Sequence, residues 1–248
     1  MIVAVLQARM SSRRMPGKVL APLGGKPMIL RQLERIHAAQ IDDVLVATST
    51  HASDDELYDV LSSASERCVR GSLDDVLDRV FRAATDAGAT HVVRLTADCP
   101  LIDARVIDRV VTAHLDSGND YTSNTLQRSY PDGQDVEVAR LGALERAWRE
   151  CHDAGQREHV MPFLYAAGSE FRLGNVACDT DRSWYRITVD FPEDLVAVRA
   201  IFEELSGNTS HFSNEDIVAL LDRRPDIVAL NAIHNQLLRC RPEALGTR

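Results

Sequence analysis

Hydrophobic and polar positions alternate along this chain in two rhythms. Ile2 to Leu6 reads IVAVL, a continuous apolar, β-branched run that suits a strand covered on both faces. Met28 to Ala39 places Ile29, Leu33 and Ile36 at helical spacing, and Asp43 to Ala47 (DVLVA) is a second buried strand. Asp54 to Leu61 reads as helix, Cys68 to Arg70 as a short extended piece, and Leu73 to Ala84 as a helix with Val76, Val80 and Ala83 on one face. Thr90 to Leu95 (THVVRL) is another strand, followed by a helix carrying Val106, Ile107, Val110 and Val111. Strands and helices that alternate at such short intervals predict right-handed βαβ units and a mostly parallel sheet, an α/β fold.

After about Gly118 the pattern shortens. Tyr130-Pro131-Asp132-Gly133 is a turn signal, and Asp135-Val136-Glu137-Val138 alternates as a half-buried strand does. Helices are expected around Leu141 to Cys151 and from about Arg157, with an extended FRLGNV after them and a strand at Tyr185 to Val189. Phe191-Pro192-Glu193-Asp194 starts a helix, since proline suits the first turn and acids favour the positive end of the helix dipole. Ser213 with Asp216 reads as the N-cap of a further helix. The simplest organisation is one α/β domain over 1–248 with a mixed insertion at 119–182 and a loosely ordered tail at 240–248.

Charge changes this picture. The 248 residues carry 28 Lys+Arg against 37 Asp+Glu, yet no acid precedes Glu34. Met1 to Leu33 holds six cations, so the net charge of −9 divides into +6 there and −15 beyond. An acidic whole argues against nucleic-acid or anionic-membrane partners, which need a dominant positive field, but it leaves room for one small anion in one loop. No run approaches the ~20 apolar residues of a membrane span, and the opening lacks the charge-first layout of a secretory signal, so a cytoplasmic protein is expected. The five cysteines are scattered without C-x-x-C spacing, which suits small buried hydrophobes in a reducing compartment better than disulfides or zinc.

The acid-free segment contains Gln7-Ala8-Arg9-Met10-Ser11-Ser12-Arg13-Arg14-Met15-Pro16-Gly17-Lys18, which leaves the first strand where open α/β sheets bind ligands. Arginine forks, hydroxyls and a glycine that permits close backbone approach are what a polyphosphate requires. The only two lysines of the chain, Lys18 and Lys26, lie in or just after this loop. Ser12 stands where a P-loop needs glycine, Val19 stands where it needs Ser or Thr, and G-x-G-x-x-G is absent, so this is a different device. Asp98 and Asp190 each follow a strand-like run. Two such carboxylates facing a triphosphate could hold Mg²⁺, although an aspartate after a strand is also a common helix N-cap.

The segments AVLQARMSSRRMPGKVLAPLGGKPM, VLVATS, RGSLDDVLDR, LTADCPLID, SNT…YPDGQDVEV, REHVMPF and TVDFPEDL, in that order, resemble the cytidylyltransferases related to spore-coat polysaccharide synthesis. These belong to the wider group that includes the synthetases of CMP-sialic acid and CMP-3-deoxy-manno-octulosonate. Arg13, Met15 and Ala97 stand where that pattern usually has Thr, Leu and Gly. The resemblance implies a three-layer, Rossmann-like nucleotide-diphospho-sugar transferase fold. It places the nucleotide on Ala8, Arg9, Met10, Ser11, Arg14, Gly17 and Lys18, with Arg70, Asp75 and Arg79 near base or ribose and Asp98 and Asp190 on Mg²⁺. It also implies a homodimer whose 119–182 insertion closes the acceptor site.

The implied reaction is attack by an acceptor oxygen on the α-phosphorus of CTP, with Arg9, Lys18 and Asp98 as the catalytic group and pyrophosphate leaving. Asn124, Tyr130, Asp135, Glu137, Arg157 and His159 are the polar candidates for a small acidic acceptor. Arg157 could fork onto a carboxylate or phosphonate, His159 could be a general base or a satisfied structural histidine, and Glu137 could equally face solvent. Tyr121 and Trp148 read as core or interface before sugar platforms. An acidic sugar is the expected acceptor. A phosphonate, a sugar phosphate, or a non-catalytic CTP-binding module are the alternatives.

Overall fold

The computed structural model describes residues 1–207 and 211–235; the tail at 240–248 lies outside the described residues. The chain begins with β1 (Ile2–Gln7), a hairpin of β2 (Pro22–Leu23) and β3 (Lys26–Pro27), α1 (Met28–Ile36), β4 (Asp43–Ser49) and α2 (Asp55–Ser63). It continues through β5 (Cys68–Gly71), α3 (Val76–Asp86), β6 (His91–Thr96) and α4 (Ala104–Ser117). Then come β7 (Tyr121–Ser123), β8 (Glu137–Arg140), α5 (Leu141–Glu150), α6 (Ala154–His159), α7 (Pro162–Tyr165) and β9 (Leu173–Asn175). The last helices are α8 (Pro192–Ser206), α9 (Asn214–Arg223) and α10 (Pro225–Ala229).

Seven strands form one sheet in the order β5-β4-β1-β6-β8-β7-β9. The first four are mutually parallel, β8 runs antiparallel to both β6 and β7, and β9 is parallel to β7. The mostly parallel α/β architecture is therefore as the pattern predicts. The unbroken IVAVL run is explained by β1 lying between β4 and β6 with both faces covered. Ala4 and Leu6 enter one core with α1, α2 and α4, whereas Val3 and Val5 enter the other with α3 and α5. The strands of the 119–182 segment extend this same sheet, so its carboxyl edge and the segment's loops share one rim.

Tyr185–Val189, expected as a strand, joins no sheet; its pairing among the described residues is one bridge between Asp132 and Arg186. Its neighbours are the turn at 131–134 and the loop after β6, and neither offers an extended edge for a ladder. Ile187 N donates to Asp132 O at 2.7 Å and Val189 N to Asp98 O at 2.8 Å. The alternation survives, because Tyr185, Ile187 and Val189 enter a third core built with α8, α9 and α10. That core holds the segment carrying Asp190 against the sheet edge. Gly133 makes the approach possible: at φ +116°, a Cβ there would stand 2.7 Å from Thr188 N.

Candidate active site

The loop from Ala8 to Gly17 turns back on itself because Gly17 adopts φ +72° and donates its N–H to Met10 O at 2.9 Å. Asp54, fully buried before α2, anchors the loop by accepting from Met10 N at 2.7 Å, from Ser49 N at 3.2 Å and from the Ser49 hydroxyl. Without it those amides would be buried and unpaired. Nothing in the linear pattern distinguishes Asp54 from an ordinary helix cap.

The loop roofs a cavity of about 560 Å³ at the carboxyl end of β1 and β6. Ala8, Arg9, Ser12, Arg13, Arg14 and Lys18 line it, with Arg79, Asp98, Glu158, His159 and Asp190 around them. Lys18 is 8% exposed, and its ammonium donates to Val189 O at 2.7 Å and Asp190 Oδ1 at 2.9 Å and lies 3.4 Å from Asp98 Oδ2. Arg14 meets the other side of Asp190 at 3.1 Å and lies over the Phe191 ring. Arg9 pairs with Glu158 on α6 at 3.0 Å, bridging the cavity from loop to helix. Burial works against the charge of Asp98, yet Lys18 and the Thr96 hydroxyl, 2.5 Å from Asp98 Oδ1, hold its carboxyl below the usual range. Burial instead lowers the Arg79 guanidinium to about 10, against the pull of Asp54, and its Nε has no hydrogen bond among the described residues.

Neither Asp98 nor Asp190 caps a helix. Asp103 caps α4, and Asp194 satisfies the start of α8 by accepting from Asp190 N and Phe191 N at 3.0 Å each. Two carboxylates drawn together at one cavity wall by a single ammonium are a donor set that fits a hard divalent cation completing its shell with phosphate oxygens and water. Among the described residues no group of three or more His, Cys, Asp or Glu side chains converges on a metal position.

A second compartment of about 270 Å³ adjoins the first and shares Arg94, Thr96 and His159 with it. Asp135 and Glu137 line it, but each is already paired: Asp135 with Arg128 at 2.6 and 2.8 Å, Glu137 with Arg94. The other acceptor candidates lie elsewhere. Asn124 is buried, bonding Gln134 O at 2.6 Å and Val136 N at 2.9 Å, and Tyr130 is packed in the core. Arg157 lines neither compartment, because its guanidinium is committed to Asp75 at 2.7 and 3.0 Å and to the carbonyls of Trp148 and Cys151, tying α6 to α3. Arg70 likewise turns away, to Ser49 O, His51 O and Asp55, and Ser11 lines a neighbouring recess with Arg9 and Arg13. Asp75 caps α3. Arg94 was not among the sequence candidates; the one available signal is a cation on the strand face that Val92 uses for core.

A family model described as cytidylyltransferase matches residues 3–219. The spore coat polysaccharide biosynthesis protein SpsF of Bacillus subtilis is 31% identical over 241 residues, covering 91% of this chain and 95% of that one. A 3-deoxy-manno-octulosonate cytidylyltransferase of Francisella tularensis is 30% identical over 137 residues, 53% of each chain. Among solved structures, a cytidylyltransferase from Leptospira borgpetersenii matches with a TM-score of 0.88 at 29% identity, covering 92% of this chain and 96% of that one. This chain belongs to the cytidylyltransferase family and is a CTP-dependent nucleotidyltransferase.

Proposed function

We propose that the enzyme transfers CMP from CTP to an acidic sugar of the nonulosonate or 3-deoxy-octulosonate type, releasing pyrophosphate, for surface polysaccharide or glycoconjugate synthesis. The observation that carries this reading is the pair of adjoining compartments, one roofed by Arg9, Arg13, Arg14 and Lys18, the other lined by arginine–carboxylate pairs. The first suits a triphosphate. The second offers donors and acceptors in alternation, as a polyhydroxylated acceptor needs, and the named activities of the relatives above agree with it.

In this reading Arg9, Arg14 and Lys18, with the backbone of Ala8 to Gly17, hold the phosphates while Arg79 supports the nucleoside. Asp98 and Asp190 would hold Mg²⁺, which when bound supplies neutralisation of phosphate charge. An acceptor hydroxyl oxygen bonds to the α-phosphorus as the bond from that phosphorus to the bridging oxygen breaks, the electron pair leaves with pyrophosphate, and the hydroxyl proton passes to His159 or water. Positioning of two bound reactants can supply about 7–11 kcal/mol of the barrier, so little covalent help is needed. We place a homodimer contact on the 119–182 segment, where Tyr165 and Leu173 are exposed apolar residues.

The test is pyrophosphate release from CTP across a panel of keto-sugar acids, their neutral analogues, phosphonates and sugar phosphates, with and without a chelator. Release with a sugar acid, abolished by chelation and restored by Mg²⁺, is expected. CTP binding without release for any acceptor overturns the transferase reading in favour of a binding module. Release with phosphonates alone overturns the sugar. Light scattering reads the oligomeric state.

A further inference from the structure

Where the two compartments meet, four adjacent strands present a row of polar side chains on one face of the sheet. Gln7 on β1, Arg94 on β6, Glu137 on β8 and Tyr121 on β7 occupy the face whose other positions, Val3, Val5, Val92 and Ala139, are core. Arg94 and Glu137 stand opposite each other in the antiparallel register, with side chains only 13% and 10% exposed. Arg94 Nε donates to Gln7 Oε1 at 3.0 Å, its Nη1 donates to Glu137 Oε2, and the Tyr121 hydroxyl donates to Glu137 Oε1 at 2.7 Å.

A donor that an ion pair leaves over at a cavity wall is available to a ligand. Arg94 has one: its Nη2 makes no hydrogen bond with the described residues, and the side chain lines both compartments. Two partners fix the guanidinium plane, so the remaining edge has one direction available. Held arginine forks of this kind recognise planar oxyanions better than mobile ones, because less side-chain freedom is lost on binding.

We infer that Arg94 is the residue that binds the acceptor's carboxylate, at the junction of the two compartments, with Glu137 and Gln7 as its positioning residues. This rests on the acidic-sugar reading above. It assigns Arg94 the part that the sequence suggested for Arg157, whose own guanidinium is consumed in fastening α6. Glu137 then orients the fork, and Tyr121 in turn orients Glu137. The carboxylate held there would bring the neighbouring acceptor hydroxyl to the border with the nucleotide compartment.

The experiment compares the wild-type protein with Arg94→Met and Arg94→Lys, using CTP, the sugar acid that supports turnover and its carboxyl-reduced alcohol. Arg94→Met should raise the acceptor KM by about tenfold or more while the Kd for CTP changes by less than about twofold, and Arg94→Lys should recover part of the loss. The wild type should prefer the acid over the alcohol, and Arg94→Met should lose that preference. Because Glu137 loses its ion-pair partner in the single variant, the double variant Arg94→Met/Glu137→Gln, with a native-like Tm, should show the same lost preference. Undiminished preference in both variants overturns the role of Arg94 alone. A wild-type enzyme indifferent to the carboxyl group overturns the acidic-acceptor reading itself, and CTP affinity falling in step with acceptor affinity assigns Arg94 to the nucleotide.

Discussion

Lys18 sets the charge balance at one wall of the larger compartment, where one ammonium serves two carboxylates and a carbonyl. Replacing Lys18 with Ala, or Asp98 with Asn, should lower kcat at least about tenfold while circular dichroism stays native, because in the proposed reading Lys18 neutralises phosphate charge directly and Asp98 would hold the Mg²⁺ that does so. Near-normal turnover in either variant removes that residue from the mechanism. Asp132 behaves in the opposite sense to Asp98. Burial, reinforced by Asp135 and opposed by Arg128 and Arg186, lifts its carboxyl from 3.8 to about 6. A carboxyl with a raised folded-state pKa binds its proton more tightly in the native protein, so its contribution is present below about pH 4 and is lost as pH rises through about 6. Urea titrations of Asp132→Asn should therefore show a shallower fall in stability across that window than the wild type. The sequence displayed Lys18 and Asp98 through their rarity and their place after a strand. It could not separate Asp132 from Asp135, since only their folded surroundings differ.

At the scale of elements, loops around one sheet edge do the positioning. The turn at 131–134 presses on the 185–189 segment, and Gly133 lets the two backbones meet. Gly133→Ala should destabilise the protein by more than ~1 kcal/mol, since both its φ and the nearby Thr188 amide exclude a Cβ. It should also reduce kcat, because the displaced segment carries Asp190; an unchanged urea midpoint with unchanged turnover contradicts this coupling. Helix and strand identities were legible for most of the first 118 residues because each element there shows one clear period. Tyr185–Val189 also alternates, as a strand does, yet alternation reports only one buried face. Whether a strand partner exists is decided by residues far away in the chain.

Across the whole molecule, the third core joins the C-terminal helices to the candidate site through Arg186 and Asp194. Asp194 is fully buried and takes both arms of Arg186 at 2.8 and 2.7 Å, the amides of Asp190 and Phe191, and Asn231 Nδ2 at 2.9 Å. Although burial opposes its charge, Arg186 and these amides hold its carboxyl below the usual range. Asp194→Asn should cost about 3 kcal/mol or more in urea unfolding at neutral pH, because it removes the fully buried carboxylate that accepts from two of the Arg186 nitrogens, leaving that charge to the more exposed Asp132 and Asp190. A loss within ~0.5 kcal/mol contradicts a structural role for the pair. By itself the sequence determined the α/β class, the parallel β1 neighbourhood and the cationic loop, because periodicity, turn residues and local charge are properties of neighbouring positions. Only the tertiary structure decided that Asp54 anchors that loop, that Arg157 is spent on Asp75, and that Arg94 stands between two compartments. Those assignments depend on which donors remain unpaired after the chain has folded, and pairing between positions 43 to 82 apart in the chain leaves no local trace.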